Sequence, residues 1–390
     1  MRSVDAAGLG IGDDHPPRIM GVLNVSEESP YDPSVYDDPG EAAQYVDEEL
    51  IGEGADIVDV GLESANKRFE VLSAEEELER LDTAIETMAS TSGDAVWSIE
   101  TRYHEVAAEA LDRGFDMVND ICGFADPEMP RVCAERDAAV SKMASPPDLE
   151  RPGAVEEVDD IYDALSQNGF TDKTILDPAF GGWSEAKTTD HDRETFHRLR
   201  EFRGYGRPLL VSINRKNFLR EVAGRDTEEA LPVSLAATSM AVERGAHVIR
   251  THDVRETRDA ALIGEEFARD RARRSDDVAV EELDVTTPRE VDRHLDRLDA
   301  DPTVADEAIL RTFELSGLDQ TALGALRAAV VETNALFAPA AGNGESVESD
   351  DPTAGLLVVT PSAAEDLERR VSDESAALRD PLEVVADGFR

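Results

Sequence analysis

A chain of 390 residues, 41% of them hydrophobic, has room for one barrel of about 250 residues and a further small domain. Its 86 acidic residues against 39 basic give a formal net charge of −47, the wrong sign for attraction to nucleic acid or an anionic membrane surface. Only five lysines accompany the carboxylates, Lys67, Lys142, Lys173, Lys187 and Lys216, so the charge reads as a salt-adapted surface in a halophilic cytoplasm; at molar salt the Debye length is about 3 Å and such self-repulsion is screened.

Residues 1–17 form a Pro-containing leader without the basic segment and apolar core of a signal peptide. Ile19–Val25 is then an apolar run of strand length that passes through Asn24 into the polar loop Ser26–Asp32, as expected for a strand buried on both faces. The same shape recurs along the chain. Ile57–Gly61, Val96–Thr101, Met117–Ile121, Ala138–Met143, Thr174–Pro178, Pro208–Ile213 and Val248–Asp253 read as strands. Helical periodicity separates them, over Glu41–Glu53, after the capping box at Ser73–Glu76, and over Tyr103–Arg113, residues 128–137, Val155–Asn168, Asp192–Arg203, Thr227–Arg244 and Glu256–Asp270. Strict strand–helix alternation implies a parallel sheet, and eight such units predict a closed (β/α)8 TIM barrel over residues 18–271. No GxGxxG follows the first strand, which argues against an open dinucleotide-binding sheet.

Beyond a charged linker over Ala272–Asp277 the pattern changes. Strands are expected at Val278–Leu283, Ile309–Leu315 and Leu356–Val359, and helices at Thr287-Pro288, Leu318–Leu336 and Thr360-Pro361. Residues 278–390 thus read as a small α/β accessory domain without evident chemistry. Cys122 and Cys133 are too few for a disulfide framework or a zinc site and read as buried thiols, and no apolar run reaches the roughly 20 residues of a membrane span.

Polar residues gather where the predicted strands end: Asn24, Glu63, Glu100, Asn119, Asp120, Asp177, Lys216, Arg250 and His252. Singly each has an ordinary role, as turn former, helix cap or solvated cation. Barrel geometry nevertheless brings all of them to one face, the face on which this fold carries its active sites. Lys216, Arg250 and His252 follow the last two strands, where barrels commonly bind phosphate.

The blocks IMGVLNV with SEESPYD, EGADIVDVG with Glu63-Ser64, MVNDI, TILDPAFG, SINRKNF and VIRTHDV are similar, in order and interval, to the signature blocks of the dihydropteroate synthase family across Arg18–Phe267. That resemblance implies condensation of 6-hydroxymethyl-dihydropterin pyrophosphate with 4-aminobenzoate, with Mg²⁺ as cofactor and a homodimer through barrel helices. It implies Glu100, Asn119, Asp177 and Lys216 against the pterin; Asn24, Arg250 and His252 against the pyrophosphate; and Lys216, Asp177, Arg250 and His252 as the catalytic set. Asn24 is the implied Mg²⁺ ligand, and Ser64, Ala65, Lys67, Trp183 and Asn217 stand on the arylamine side.

The sequence departs from the family at several of these places. Glu100 stands where the family has Asp. Leu62-Glu63-Ser64-Ala65-Asn66-Lys67 loses a Thr and an Arg, for which Lys67 or Arg68 is a candidate replacement. The loop Ser29-Pro30-Tyr31-Asp32 is altered, Gly182 replaces an aromatic beside Trp183, and Asn217 replaces a Ser. The pterin side is therefore better kept than the arylamine side. Two other readings follow from that: a pterin-binding barrel with another arylamine or a methyl-pterin as substrate, and a paralogue that binds pterin without catalysis.

Overall fold

The computed structural model describes residues 2–25, 34–63, 71–148, 155–181, 186–268, 272–274, 279–340, 353–371 and 375–389. They fall into two compact units, Met1–Leu283 and Asp284–Arg390.

The first unit opens with an antiparallel hairpin, β1 (Val4–Ala6) and β2 (Leu9–Ile11). Eight parallel strands follow: β3 (Arg18–Asn24), β4 (Ile57–Gly61), β5 (Val96–Thr101), β6 (Met117–Asp120), β7 (Ala139–Met143), β8 (Thr174–Asp177), β9 (Leu210–Val211) and β10 (Val248–Thr251). From β3 to β8 each pairs with the next, β9 pairs with β10, and β10 returns to β3. A parallel bridge between Leu176 and Leu209, with the Leu176 amide donating to the Pro208 carbonyl at 2.9 Å, closes the remaining seam into the expected barrel.

Residues 1–17, read above as a leader, include a plug. Val4, Ala6 and Ile11 of the hairpin pack with Met20, Ile57, Val96, Met117, Ala139, Ile175, Leu210 and Val248, one residue from each barrel strand. Burying the hairpin's apolar side seals the amino-terminal end of the barrel and directs ligands to the opposite rim. The hairpin is tied down where Arg18 Nε donates to the Gly10 carbonyl at 2.9 Å. A second apolar layer, including Leu23, Val58, Ile99, Val118, Val140, Leu176, Val211 and Ile249, lies between the strands and the surrounding helices.

Local chemistry accounts for the helix boundaries. Ser73 and Glu76 form the expected capping box before the helix Ala74–Ser90. Periodicity missed the short helix Asn217–Ala223, capped by Gly224 at φ +63°, because it carries less than two turns of apolar pattern. The stretch 272–277, read as a linker, contributes Ala272–Arg274 (β11), which pairs with Ala279–Glu281 (β12), and the unit boundary falls after Leu283.

The second unit holds an antiparallel sheet of Arg311–Leu318 (β13), Leu336–Pro339 (β14) and Thr353–Val359 (β15), in the order β13-β15-β14. Its core includes Leu315, Leu326, Leu357, Val359, Leu367 and Leu382. β14 and the helix Ala376–Asp387 were not anticipated from sequence.

Candidate active site

Strand register builds the site. Asn24, Gly61, Glu100 and Asn119 are neighbours across β3, β4, β5 and β6, so their side chains share one face of the sheet at the carboxyl rim. Two residues earlier on the same strands, Asp59 and Ser98 are register partners and form the layer beneath. Asp59 is wholly buried and accepts three hydrogen bonds: from Ser98 Oγ at 2.7 Å, Asn119 Nδ2 at 3.0 Å and Arg250 Nε at 2.7 Å. An ionised carboxylate can be buried when donors satisfy it in this way. It also fixes the Asn119 amide. With one Nδ2 hydrogen committed to Asp59, Asn119 keeps its carbonyl oxygen as an acceptor, beside a second N–H.

Arg250 reaches across the barrel from β10. Its second donor, Nη2, goes to Glu100 Oε2 at 2.7 Å. Burial acts against the guanidinium charge, but Glu100 and Asp59 outweigh it and hold Arg250 above its ordinary range. Burial, with Asp59 and Glu63 nearby, raises Glu100, while Arg250 opposes the shift.

Asp177 closes the other side at the end of β8. Its Oδ1 accepts from the Ala179 amide at 2.8 Å, and burial pushes the group up to about 6 against the pull of that amide, Lys216 and Arg250. Lys216 precedes the helix Asn217–Ala223, and burial, then Arg250, lowers its ammonium from the ordinary lysine value. Gly181 makes room for it. At φ +113° a Cβ there would lie 2.9 Å from Lys216 Nζ, so the loop after β8 needs both the left-handed backbone and the missing side chain. Below Lys216, Arg215 binds Asp253 through Nε and Nη2 at 2.8 Å each, joining the loops after β9 and β10.

Glu100, Asn119, Asp177, Lys216 and Arg250 thus line one pocket, completed by Ile121, Met143, Ala179, Phe180 and Ser212. Phe180 is held from behind by Phe218, stacked at 5.8 Å between ring centroids. Hydrogen-bond acceptors stand at Asn119 and Asp177, cations at Lys216 and Arg250, and apolar walls between them. That combination suits a flat, polar-edged heterocycle carrying an anionic substituent.

Other predicted residues occupy different places. Asn24 reaches the rim, its Nδ2 donating to Ser34 Oγ at 2.9 Å. Burial and the adjacent Arg250 push His252 down to about 3, so its imidazole is neutral and the site's positive charge rests on Lys216 and Arg250. Asp120 serves its own loop, accepting from the amides of Cys122 at 2.7 Å and Phe124 at 2.8 Å. Glu63 forms an ion pair with the buried Arg102. Asn217 is exposed outside the pocket wall, and its amide oxygen is taken by Arg220. Ser64, Ala65, Lys67, Arg68, Gly182 and Trp183, with the loop Ser26–Asp32, lie outside the described residues.

Asp59 was the residue missed from sequence. Its signal was a lone carboxylate inside IVDVG, a strand otherwise apolar on both faces, where an acid persists only if paired.

Residues 20–252 match the family model described as pterin binding enzyme. The chain is 31% identical to the dihydropteroate synthase of Escherichia coli over 273 residues, 67% of this chain and 94% of that protein. The chain belongs to the dihydropteroate synthase family. It is also 34% identical, over 65% of its length, to a probable bifunctional folylpolyglutamate synthase/dihydropteroate synthase of Haloferax volcanii, of which it spans 31%. Solved synthases share the barrel. The Coxiella burnetii dihydropteroate synthase in complex with pteroic acid has a TM-score of 0.57 at 28% identity, covering 68% of this chain and 98% of that one. The Thermus thermophilus dihydropteroate synthase in complex with 4-aminobenzoate has a TM-score of 0.56 at 28% identity, covering 68% and 100%. The family match stops short of Asp284–Arg390, so the second unit stands outside the shared barrel.

Proposed function

We propose that this chain is a dihydropteroate synthase of folate biosynthesis, a transferase joining 6-hydroxymethyl-7,8-dihydropterin pyrophosphate to 4-aminobenzoate. The observation that carries the reading is the convergence of Asn119, Asp177, Lys216 and Arg250 on one pocket of a family barrel. In this reading the Asn119 carbonyl and the Asp177 carboxylate accept from the amino-pyrimidine edge, and Lys216 donates to the ring's acceptors. Arg250 faces the diphosphate. The arylamine nitrogen attacks the exocyclic methylene, a C–N bond forms as the C–O bond breaks, and diphosphate leaves with the electron pair. The nitrogen's surplus proton passes to solvent. Arg250 and Lys216, fixed beforehand by Asp59 and by the Gly181 loop, meet the leaving charge without reorganising. Neutral His252 can add a hydrogen bond but no charge.

Mg²⁺ fits the rim beside this pocket. A Cβ on Gly61 would lie 3.1 Å from Asn24 Oδ1 and 3.9 Å from Glu100 Oε1, so the bare glycine leaves a slot bordered by hard oxygen donors. Asn24 would hold the ion through Oδ1, and the bound ion would neutralise diphosphate charge. Ser64, Ala65, Lys67, Trp183 and Asn217 belong to the arylamine side in this reading.

The acidic composition supports a halophilic cytoplasm as the setting, and among the described residues no helix is long and apolar enough to cross a membrane. A homodimer through barrel helices is part of the proposal. It is supported by an apolar groove lined by Phe196, Phe218, Leu219, Val222, Val233 and Met240, of which Val222 and Met240 are exposed. Purified protein with both substrates and Mg²⁺ in high salt should release pyrophosphate in step with dihydropteroate. Binding of both substrates without turnover would reject the enzymatic reading in favour of a non-catalytic pterin-binding role.

A further inference from the structure

Arg250 is already held by two carboxylates, and the two are not equivalent. Asp59 is wholly enclosed and also carries Ser98 and Asn119, so it cannot leave without stranding three donors. Glu100 keeps 11% of its side chain exposed, lines the pocket, and accepts from Arg250 Nη2 at 2.7 Å. Asp59 and Glu63 both repel it, and Arg250, with a smaller pull from Arg102, holds it in place. An Asp at this position, as the family resemblance expects, would be shorter by one C–C bond of about 1.5 Å and would fall short of Nη2.

We propose that Glu100 is an exchangeable latch on Arg250. The substrate's diphosphate takes Nη2 from Glu100, Arg250 keeps its bond to Asp59, and the released carboxylate turns to the amino edge of the heterocycle. The proposal rests on the synthase reading for the identity of the ligand. The diphosphate oxygens and Glu100 carry the same sign of charge and crowd one guanidinium, so an anion that takes the Nη1–Nη2 edge drives Glu100 off Nη2. Once released, Glu100 finds a donor in a ring amino group. Diphosphate and heterocycle therefore bind with positive coupling, each assisting the other. A ligand with only one of the two parts leaves either the latch closed or the carboxylate unpaired.

The test is calorimetric titration of the full chain in concentrated KCl and Mg²⁺, with inorganic pyrophosphate as the probe, for wild type, Glu100→Asp and Glu100→Gln. Melting curves establish that each variant is folded. Removing the competitor should tighten pyrophosphate binding about tenfold in both variants. A pterin without the diphosphate should gain affinity on adding pyrophosphate to wild type and lose most of that gain in both variants. Pyrophosphate binding no tighter in the variants than in wild type overturns the latch, and so does coupling that survives in both. Neither measurement needs turnover. A wild type that shows the latch yet makes no dihydropteroate would overturn the synthase reading alone.

Discussion

Asp59 offers the sharpest test of how the site is held. Its three partners all donate to it, so the two informative replacements differ in a definite way. In Asp59→Asn the amide oxygen can still accept from Asn119 and Arg250, and the Ser98 hydroxyl can rotate to accept from the new NH2. Geometry survives and charge is lost, a change of about 1–2 kcal/mol for a charged hydrogen bond made neutral. In Asp59→Ala all three donors lose their acceptor inside the barrel, and Arg250 keeps only Glu100. Removing one partner of a buried, hydrogen-bonded ion pair costs about 3–5 kcal/mol. For a unit spanning Met1–Leu283 that corresponds to a fall in melting temperature of roughly 5–8 °C. Loss of Asp59 also frees the Asn119 amide to present either end to the pterin. Melting in concentrated KCl, with kcat/KM from pyrophosphate release, should therefore rank wild type, Asn and Ala in that order on both scales. An Ala variant that melts within a degree or two of wild type and binds pterin equally well would refute Asp59 as the organising group.

Four further outcomes are expected. Gly181→Ala should weaken pterin binding by about tenfold or more, since its Cβ would meet Lys216 Nζ at 2.9 Å on a strained backbone; unchanged affinity would show that the loop is not pressed against the lysine. Asp177 is raised from 3.8 to about 6, so it binds its proton more tightly in the fold than in the unfolded chain and costs stability as pH rises through that window. Pterin binding needs its ionised form, so affinity should drop about tenfold per unit below its folded pKa, and a flat titration would remove Asp177 from the ring edge. Lys216→Ala should abolish pterin binding in calorimetry, whereas Lys67→Ala should mainly raise KM for the arylamine; equal effects would undo that partition. With a net charge of −47, the melting temperature should climb steeply as KCl rises from about 0.1 M to about 2 M, and a flat response would contradict a salt-adapted surface.

Alternation of short apolar runs with helical stripes was enough to place all eight barrel strands, because each strand is buried on both faces and each helix on one. The polar residues at the strand ends were also legible, since polar groups stop a strand that must stay dry. Periodicity failed where elements are short or lean on distant partners. The hairpin Val4–Ile11 reads as a leader until the open barrel end that it fills is known, and the helix Asn217–Ala223 is less than two turns long.

Within the site, residue types named the candidates, but only the fold could say which of them meet. Asp120 and Asn119 are adjacent in sequence, and strand alternation sends one to its own loop and the other to the pocket. Glu100 looked like a displaced copy of a shorter acid until Arg250 was found at its tip. Asp59 carried no recognisable motif, and its role exists only because Ser98, Asn119 and Arg250 arrive from three other strands. Local pattern determines what each segment can bury; which buried charges find partners depends on contacts as far apart as residues 59 and 250, and no local pattern encodes those.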